Sequence, residues 1–169
     1  FWLDLGKTRD DRYLVVSSAS KDTTALHVLD ADDPAAAPRA VLPRRNGIEM
    51  SLDHRHGRFY LLVNDRGRNF RLVETAAAAP SLDEARELIA HRDDVMLEDI
   101  DLFERHMVVQ ERDRGAQNGC LVAAARPGEV IDEHAAIEAA RAFPGLAGMD
   151  LARVVSTREP YHWTEGSWR

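Results

Sequence analysis

Asp53-His54-Arg55-His56 sets two imidazoles two residues apart beside a carboxylate. Alternate residues of a strand share a face, so this spacing could seat a metal ion. The next residues favour a plainer role, because Arg55-His56-Gly57 has the composition of a hairpin turn. His91, His106, His134 and His162 stand at no ligand spacing from the pair. Leu97-Glu98-Asp99-Ile100-Asp101, preceded by Arg92-Asp93-Asp94, gathers carboxylates that could do acid–base work or hold Ca²⁺. On a strand, their alternation sends them to solvent or into a tunnel lined with polar groups. Cys120 is the single cysteine, so no intrachain disulfide can form and a reducing compartment fits. It reads as a small packing residue rather than a nucleophile. No catalytic, cofactor-binding or metal-binding residue is assigned, and no cofactor is expected.

The elements that would position these groups show a repeat. Arg58-Phe59-Tyr60-Leu61-Leu62-Val63 has an echo 46 positions earlier, Arg12-Tyr13-Leu14-Val15-Val16, and another 47 positions later, Arg105-His106-Met107-Val108-Val109. An acid-tipped strand precedes each copy: Phe1 to Asp4, Ile48 to Asp53, Leu97 to Asp101. A third strand type follows a polar connector: Ala25 to Leu29, Phe70 to Val73, Cys120 to Val122. The connectors are Lys21 to Thr23, Asn64 to Asn69 and Arg112 to Gly115. A fourth strand type occurs twice, as Arg39 to Pro43 and Arg86 to Ala90. Four short strands in about 47 residues match the period of a propeller blade. The second strand is apolar on both faces, with Phe59, Leu61 and Val63 opposite Tyr60 and Leu62. That pattern predicts a middle strand buried between neighbouring blades. Ser81 followed by Glu84 is a capping-box spacing, and predicts a turn of helix leading into Leu88.

At 169 residues the chain is sized for one domain with a sizeable core. Its 44% hydrophobic and 30% charged residues are those of a globular protein. No apolar run is long enough for a transmembrane helix, and no membrane partner is expected. The start, Phe1 to Gly6, has no signal-peptide pattern and no Met, so the chain is expected to begin inside a longer protein. A net charge of −7 disfavours nucleic acid, and Arg44-Arg45 with Arg66-Gly67-Arg68 are too few to reverse that.

After about Ala125 the repeat is lost. The domain reading is an incomplete propeller over 1–125 and a diverged or truncated tail over 126–169. Within the tail, Glu129 to Phe143 has helical spacing and predicts a helix at about 130–143, ended by Pro144-Gly145. Coil is expected beyond it, including the closing STREPYHWTEGSWR. The fold class is mainly β: a partial β-propeller of about two and a half four-stranded blades, with a short C-terminal helix and coil tail. Closed propellers use four to eight blades, so one blade face should lie open.

Three runs together resemble a known family: FWLDLGKTRDDRYLVVSSASKDTTALHVLDADDP, VLPRRNGIEMSLDHRHGRFYLLVNDRGRNFRLV and ELIAHRDDVMLEDIDLFERHMVVQERDRG. They resemble the N-terminal propeller of the prolyl oligopeptidase family of serine peptidases, within its oligopeptidase B branch. The likeness covers about Phe1 to Gly115. It implies a propeller covering an α/β-hydrolase domain with a Ser-Asp-His triad, cleavage of short peptides after Arg or Lys, and a cytoplasmic location. It also implies that the propeller limits access to the active site. The triad has no counterpart in this sequence. Gly-x-Ser-x-Gly is absent, and the nearest fragment, Gly166-Ser167-Trp168, lacks its second half.

Two functions follow from these readings. In the first, the chain is the gating portion of such a peptidase, inactive alone. Its partners would be the hydrolase domain and short basic peptides, with self-association through the open blade face. In the second, it is a free-standing propeller that binds proteins. The Gly-His…Trp-Asp signature of common scaffold propellers is missing. A diverged, truncated or frame-altered end is expected from about Ala116.

Overall fold

The structure is a computed structural model that describes residues 1–33, 35–103, 106–113, 116–123 and 151–156. Every regular element among them is a strand, arranged as three four-stranded sheets. The chain divides into two compact units, Phe1–His91 and Arg92–Arg169.

The first unit holds two antiparallel meanders. Strands β1 (Trp2–Lys7), β2 (Tyr13–Ala19), β3 (Thr24–Asp30) and β4 (Arg39–Ala40) form one. Strands β5 (Met50–Arg55), β6 (Arg58–Val63), β7 (Arg71–Ala76) and β8 (Arg86–Ile89) form the other. The four strand types read from the sequence thus occur in order, each beside its neighbour in the chain. Consecutive pairing of this kind needs only short connections.

The β5–β6 turn is His56-Gly57, with Arg55 paired to Arg58. Both turn residues have positive φ, 51° and 74°. Such a two-residue turn matches the twist of the strands it joins, and glycine adopts it without a Cβ clash. The β6–β7 connector is a longer polar loop. Asn64 holds it in place by accepting a hydrogen bond from the Glu49 amide at 2.8 Å. At Gly67 a Cβ would lie 2.2 Å from Nε2 of His91, so any larger residue there would have to displace that ring.

Strand β6 accounts for the core. Phe59, Tyr60, Leu61, Leu62 and Val63 are all buried. Phe59, Leu61 and Val63 join Met50 and Val73 on the face that meets Leu26 and Val28, with Tyr13 and Val15 packed at its margin. The register places Leu62, Leu72 and Ile89 together on the opposite face, and these too are buried. The double-sided apolarity of this strand therefore has its expected cause on the side facing the first sheet. Burying a large aliphatic side chain contributes roughly 1.5–3 kcal/mol, so this strand dominates the stability of the unit.

Residues 82–84 form bends rather than a turn of helix. Ser81 is tied to β7 instead, its amide donating to Thr75 Oγ1 at 3.0 Å and its carbonyl accepting from that hydroxyl at 3.2 Å. Its own hydroxyl accepts from the Asp83 amide at 3.2 Å. The segment spans a short gap between two paired strands, and a helical turn costs too much to nucleate there.

The second unit holds β9 (Val95–Leu102), β10 (His106–Asp113), β11 (Ala116–Ala123) and β12 (Leu151–Ser156). Strands β9 to β11 form an antiparallel meander, with a bulge in β9–β10 at Gln110/Glu111. Strand β10 continues through Arg112 and Asp113, so the connector to β11 is shorter than the sequence suggested. Strand β12 then pairs with β11 in parallel. It falls within the stretch expected to be coil. The helix expected at about 130–143 and the closing coil from 157 lie outside the described residues.

Candidate functional site

The densest polar cluster in the first unit joins its two sheets. The β1–β2 turn carries Thr8, Arg9 and Asp10, and the end of β5 carries Asp53 and His54. Thr8 Oγ1 donates to Asp10 Oδ1 at 2.9 Å, and the Tyr13 amide donates back to Thr8 Oγ1 at 3.0 Å. Asp10 Oδ2 lies 2.7 Å from His54 Nδ1, across the gap between sheets. A second tie runs parallel to it. Asp53 Oδ1 accepts from the amides of Arg9 and His54, each at 2.8 Å.

His54 is 5% exposed, and its ring meets Tyr13 and Phe59 edge-on at 4.8 and 5.5 Å. Its Nε2 has no hydrogen-bond partner. A bare ring nitrogen against aromatic edges is tolerated far better than an unpaired N–H⁺ in the same place. Nδ1 donates its proton to Asp10, a carboxylate that can only accept.

Two carboxyl groups respond oppositely to this environment. Burial raises Asp10, but hydrogen bonds from Thr8, His54 and Arg12 outweigh it and hold the group below its ordinary value of 3.8. Burial raises Asp53 above that same value, aided by the Asp10 charge and opposed by the Arg9 and His54 amides.

The cluster has the residue types of a triad in the wrong order. A nucleophilic hydroxyl needs the imidazole between it and the carboxylate, so that the ring can take the proton. Here the carboxylate stands between hydroxyl and imidazole. The free ring nitrogen is also shut away from substrate, and a general base must reach the proton it removes. The arrangement can clamp two sheets together, and that is its chemistry.

The other candidates are placed as follows. His54 points into the sheet interface while His56 sits exposed in the turn, so the pair forms no metal seat. Among the described residues no cluster of ligating side chains could hold a metal ion. Glu98 is paired with Arg112 at 2.6 Å, and Asp99 caps the adjacent Ile100 amide at 2.9 Å. Cys120 lies on β11. Arg71, buried among apolar neighbours, is held bidentately by Asp65 at 2.7 and 2.8 Å and by Glu87 at 2.9 Å. A cleft of about 250 Å³ opens nearby, floored by Leu42, Ile48, Met50 and Leu82.

His54 stood out among the residues that could do chemistry, but its partner did not. Asp10 lies 44 positions away, close to one repeat period, which is the one signal that could have linked them.

Blade-like sheets, the first two clamped together, invite comparison with known families. The profile described as "Prolyl oligopeptidase, N-terminal beta-propeller domain" matches residues 1–144. The chain belongs to this propeller family.

Solved members share its fold. Oligopeptidase B from Leishmania major superposes with a TM-score of 0.70 at 25% identity, over 76% of this propeller chain and 18% of that one. The enzyme from Trypanosoma brucei, solved with covalently bound antipain in a closed form, gives 0.67 at 26% identity, over 74% and 18%. The two four-stranded meanders of the first unit are therefore propeller blades, and the chain spans under a fifth of those enzymes. A different likeness stands beside this one. The carbamoyl phosphate synthase small chain of Thioalkalivibrio sulfidiphilus is 64% identical over 58 residues, which is 34% of this propeller chain and 14% of that protein.

Proposed function

We propose that the chain is the access-limiting propeller portion of an oligopeptidase B-like serine peptidase, which cleaves short peptides after Arg or Lys. The observation that carries this reading is the likeness, above 0.65 in TM-score, to two oligopeptidase B structures. In this reading the blades exclude large folded substrates and a separate α/β-hydrolase domain breaks the bond. The cluster around His54 supports a purely mechanical part, since it fixes one blade against the next and offers no nucleophile. Basic peptides would be the substrates, and the cytoplasm the location.

The direct test incubates the purified chain with a fluorogenic Arg-containing peptide. No turnover is expected, and turnover abolished by a serine-directed inhibitor would overturn the reading. A second reading, a free-standing interaction module, is favoured by one observation: Phe1 and, on the edge strand β1, Trp2, Leu3 and Leu5 are all exposed. A hydrolase domain with Gly-x-Ser-x-Gly that binds the propeller blades, encoded with them or separately, decides for the first.

A further inference from the structure

The likeness to the small chain and the likeness to the propeller need not fall on the same residues. The recurring strand begins at Arg12, Arg58 and Arg105, and binds residues 1–109 into one repeat system. The intervals between its copies are each shorter than 58 residues. The one stretch that can hold a 58-residue match without a copy of that strand is the last, 110–169. A 74-residue match, to the small chain of Escherichia coli strain CFT073, must take in a copy; laid on the same end it reaches back to 96 and crosses only the third.

Topology changes within the same stretch. In the first two sheets the fourth strand is antiparallel to the third and follows it closely, from Asp30 to Arg39 and from Ala76 to Arg86. In the third sheet the outer strand is parallel and begins at Leu151, with residues 124–150 intervening. A parallel neighbour demands a long crossover, which a blade meander does not contain. The β10–β11 connection differs too. Asp113 pairs directly with Ala116, whereas the corresponding connectors in the first two sheets run over 20–23 and 64–70.

We infer that the chain is composite: residues up to about 111 are propeller, and residues from about 112 to 169 are a segment akin to a carbamoyl phosphate synthase small chain. The second segment supplies β11 and β12, the outer half of the third sheet. Such pairing needs no shared ancestry, since main-chain hydrogen bonds join any extended segment to an open sheet edge. Strand β11 is in register with β10 along its whole length, from Asp113↔Ala116 to His106↔Ala123. It therefore takes the place of a blade's third strand, inside the stretch that the propeller profile matches.

Two measurements test this. Sequencing the source locus on both sides should show codons after Arg169 that remain colinear with the small chain. Codons that instead encode further propeller strands or a Gly-x-Ser-x-Gly domain would overturn the inference. Where the reading frame closes at Arg169, an exchange decides. Residues 112–169 replace the matching 58-residue stretch of the Thioalkalivibrio sulfidiphilus small chain, with residues 1–58 as the control exchange. Assembled with its large chain, the first hybrid should sustain glutamine-dependent carbamoyl phosphate formation within about tenfold of the parent, and the control should abolish it. An inactive or insoluble first hybrid overturns the inference. Codons upstream of Phe1 that encode no propeller strands would count against the peptidase reading alone.

Discussion

Asp53 and Asp10 sit on the same clamp yet should respond to pH in opposite directions. Asp53 is held above its ordinary 3.8, so the folded chain binds its proton more tightly than the unfolded chain does. Its charge weakens the fold as pH rises through that region, and the weakening persists at neutral pH. Asp53→Asn keeps an oxygen to accept from the Arg9 and His54 amides while removing the charge. Urea unfolding at pH 7 should find the variant at least as stable as the parent, with the difference vanishing near pH 3. A clear loss at pH 7 would show that the carboxylate charge itself stabilises the clamp.

Asp10 behaves conversely. Its depressed value means its contribution is present above 3.8 and is lost as pH falls through the lower folded-state value. Asp10→Ala also leaves His54 Nδ1 buried without its acceptor, and an unsatisfied buried polar group costs about 1–3 kcal/mol. Unfolding at pH 7 should show a loss of that order, shrinking as the pH is lowered past the carboxylate range. An unchanged midpoint would mean that the clamp carries no stability.

At the scale of elements, the Arg71 clamp ties β7 to its preceding loop and to β8. Arg71 is 4% exposed, and removing one partner of a buried ion pair typically costs 3–5 kcal/mol. Arg71→Ala should lose roughly that much in chemical denaturation, because Asp65 and Glu87 are left facing each other without a cation. Arg71→Met, which fills the space without the charge, should lose less only when Asp65→Asn accompanies it. Equal stability of parent and Arg71→Ala would remove this cluster from the account.

Most elements were legible in the sequence. Strand type is set by local alternation and turn composition, and the Arg12, Arg58 and Arg105 echoes fixed the order of strands. Helix signals were the weak point, because Ser81 and Glu84 have a capping spacing that pairing between β7 and β8 overrides. Strand β12 was missed for a different reason. A parallel partner is chosen by tertiary pairing across a long interval, and six residues of Leu-Ala-Arg-Val-Val-Ser carry little period of their own. The Asp10–His54 bridge was invisible because each residue looks ordinary in its own blade and gains meaning only across the interface.

At the scale of the molecule, the first sheet ends on an open edge. Among the described residues β1 pairs only with β2, and Phe1, Trp2, Leu3 and Leu5 are 97%, 60%, 74% and 68% exposed. The register puts Leu3 and Leu5 on the same face as Leu14, Val16 and Leu29, the side away from the core shared with the second sheet. An apolar face beside unpaired backbone groups is a site where a second chain can add. The isolated chain should therefore associate in a concentration-dependent way, seen as a rising weight-average mass in sedimentation or light scattering. Leu3→Lys combined with Leu5→Glu should return it to the monomer mass without lowering the denaturation midpoint, since both side chains are already in water. The net charge of −7 opposes association by long-range repulsion, so added salt should strengthen it in the parent. A parent chain that stays monomeric at all concentrations would mean that this face is too small to hold a partner. Association that survives the double substitution would place the contact elsewhere on the molecule.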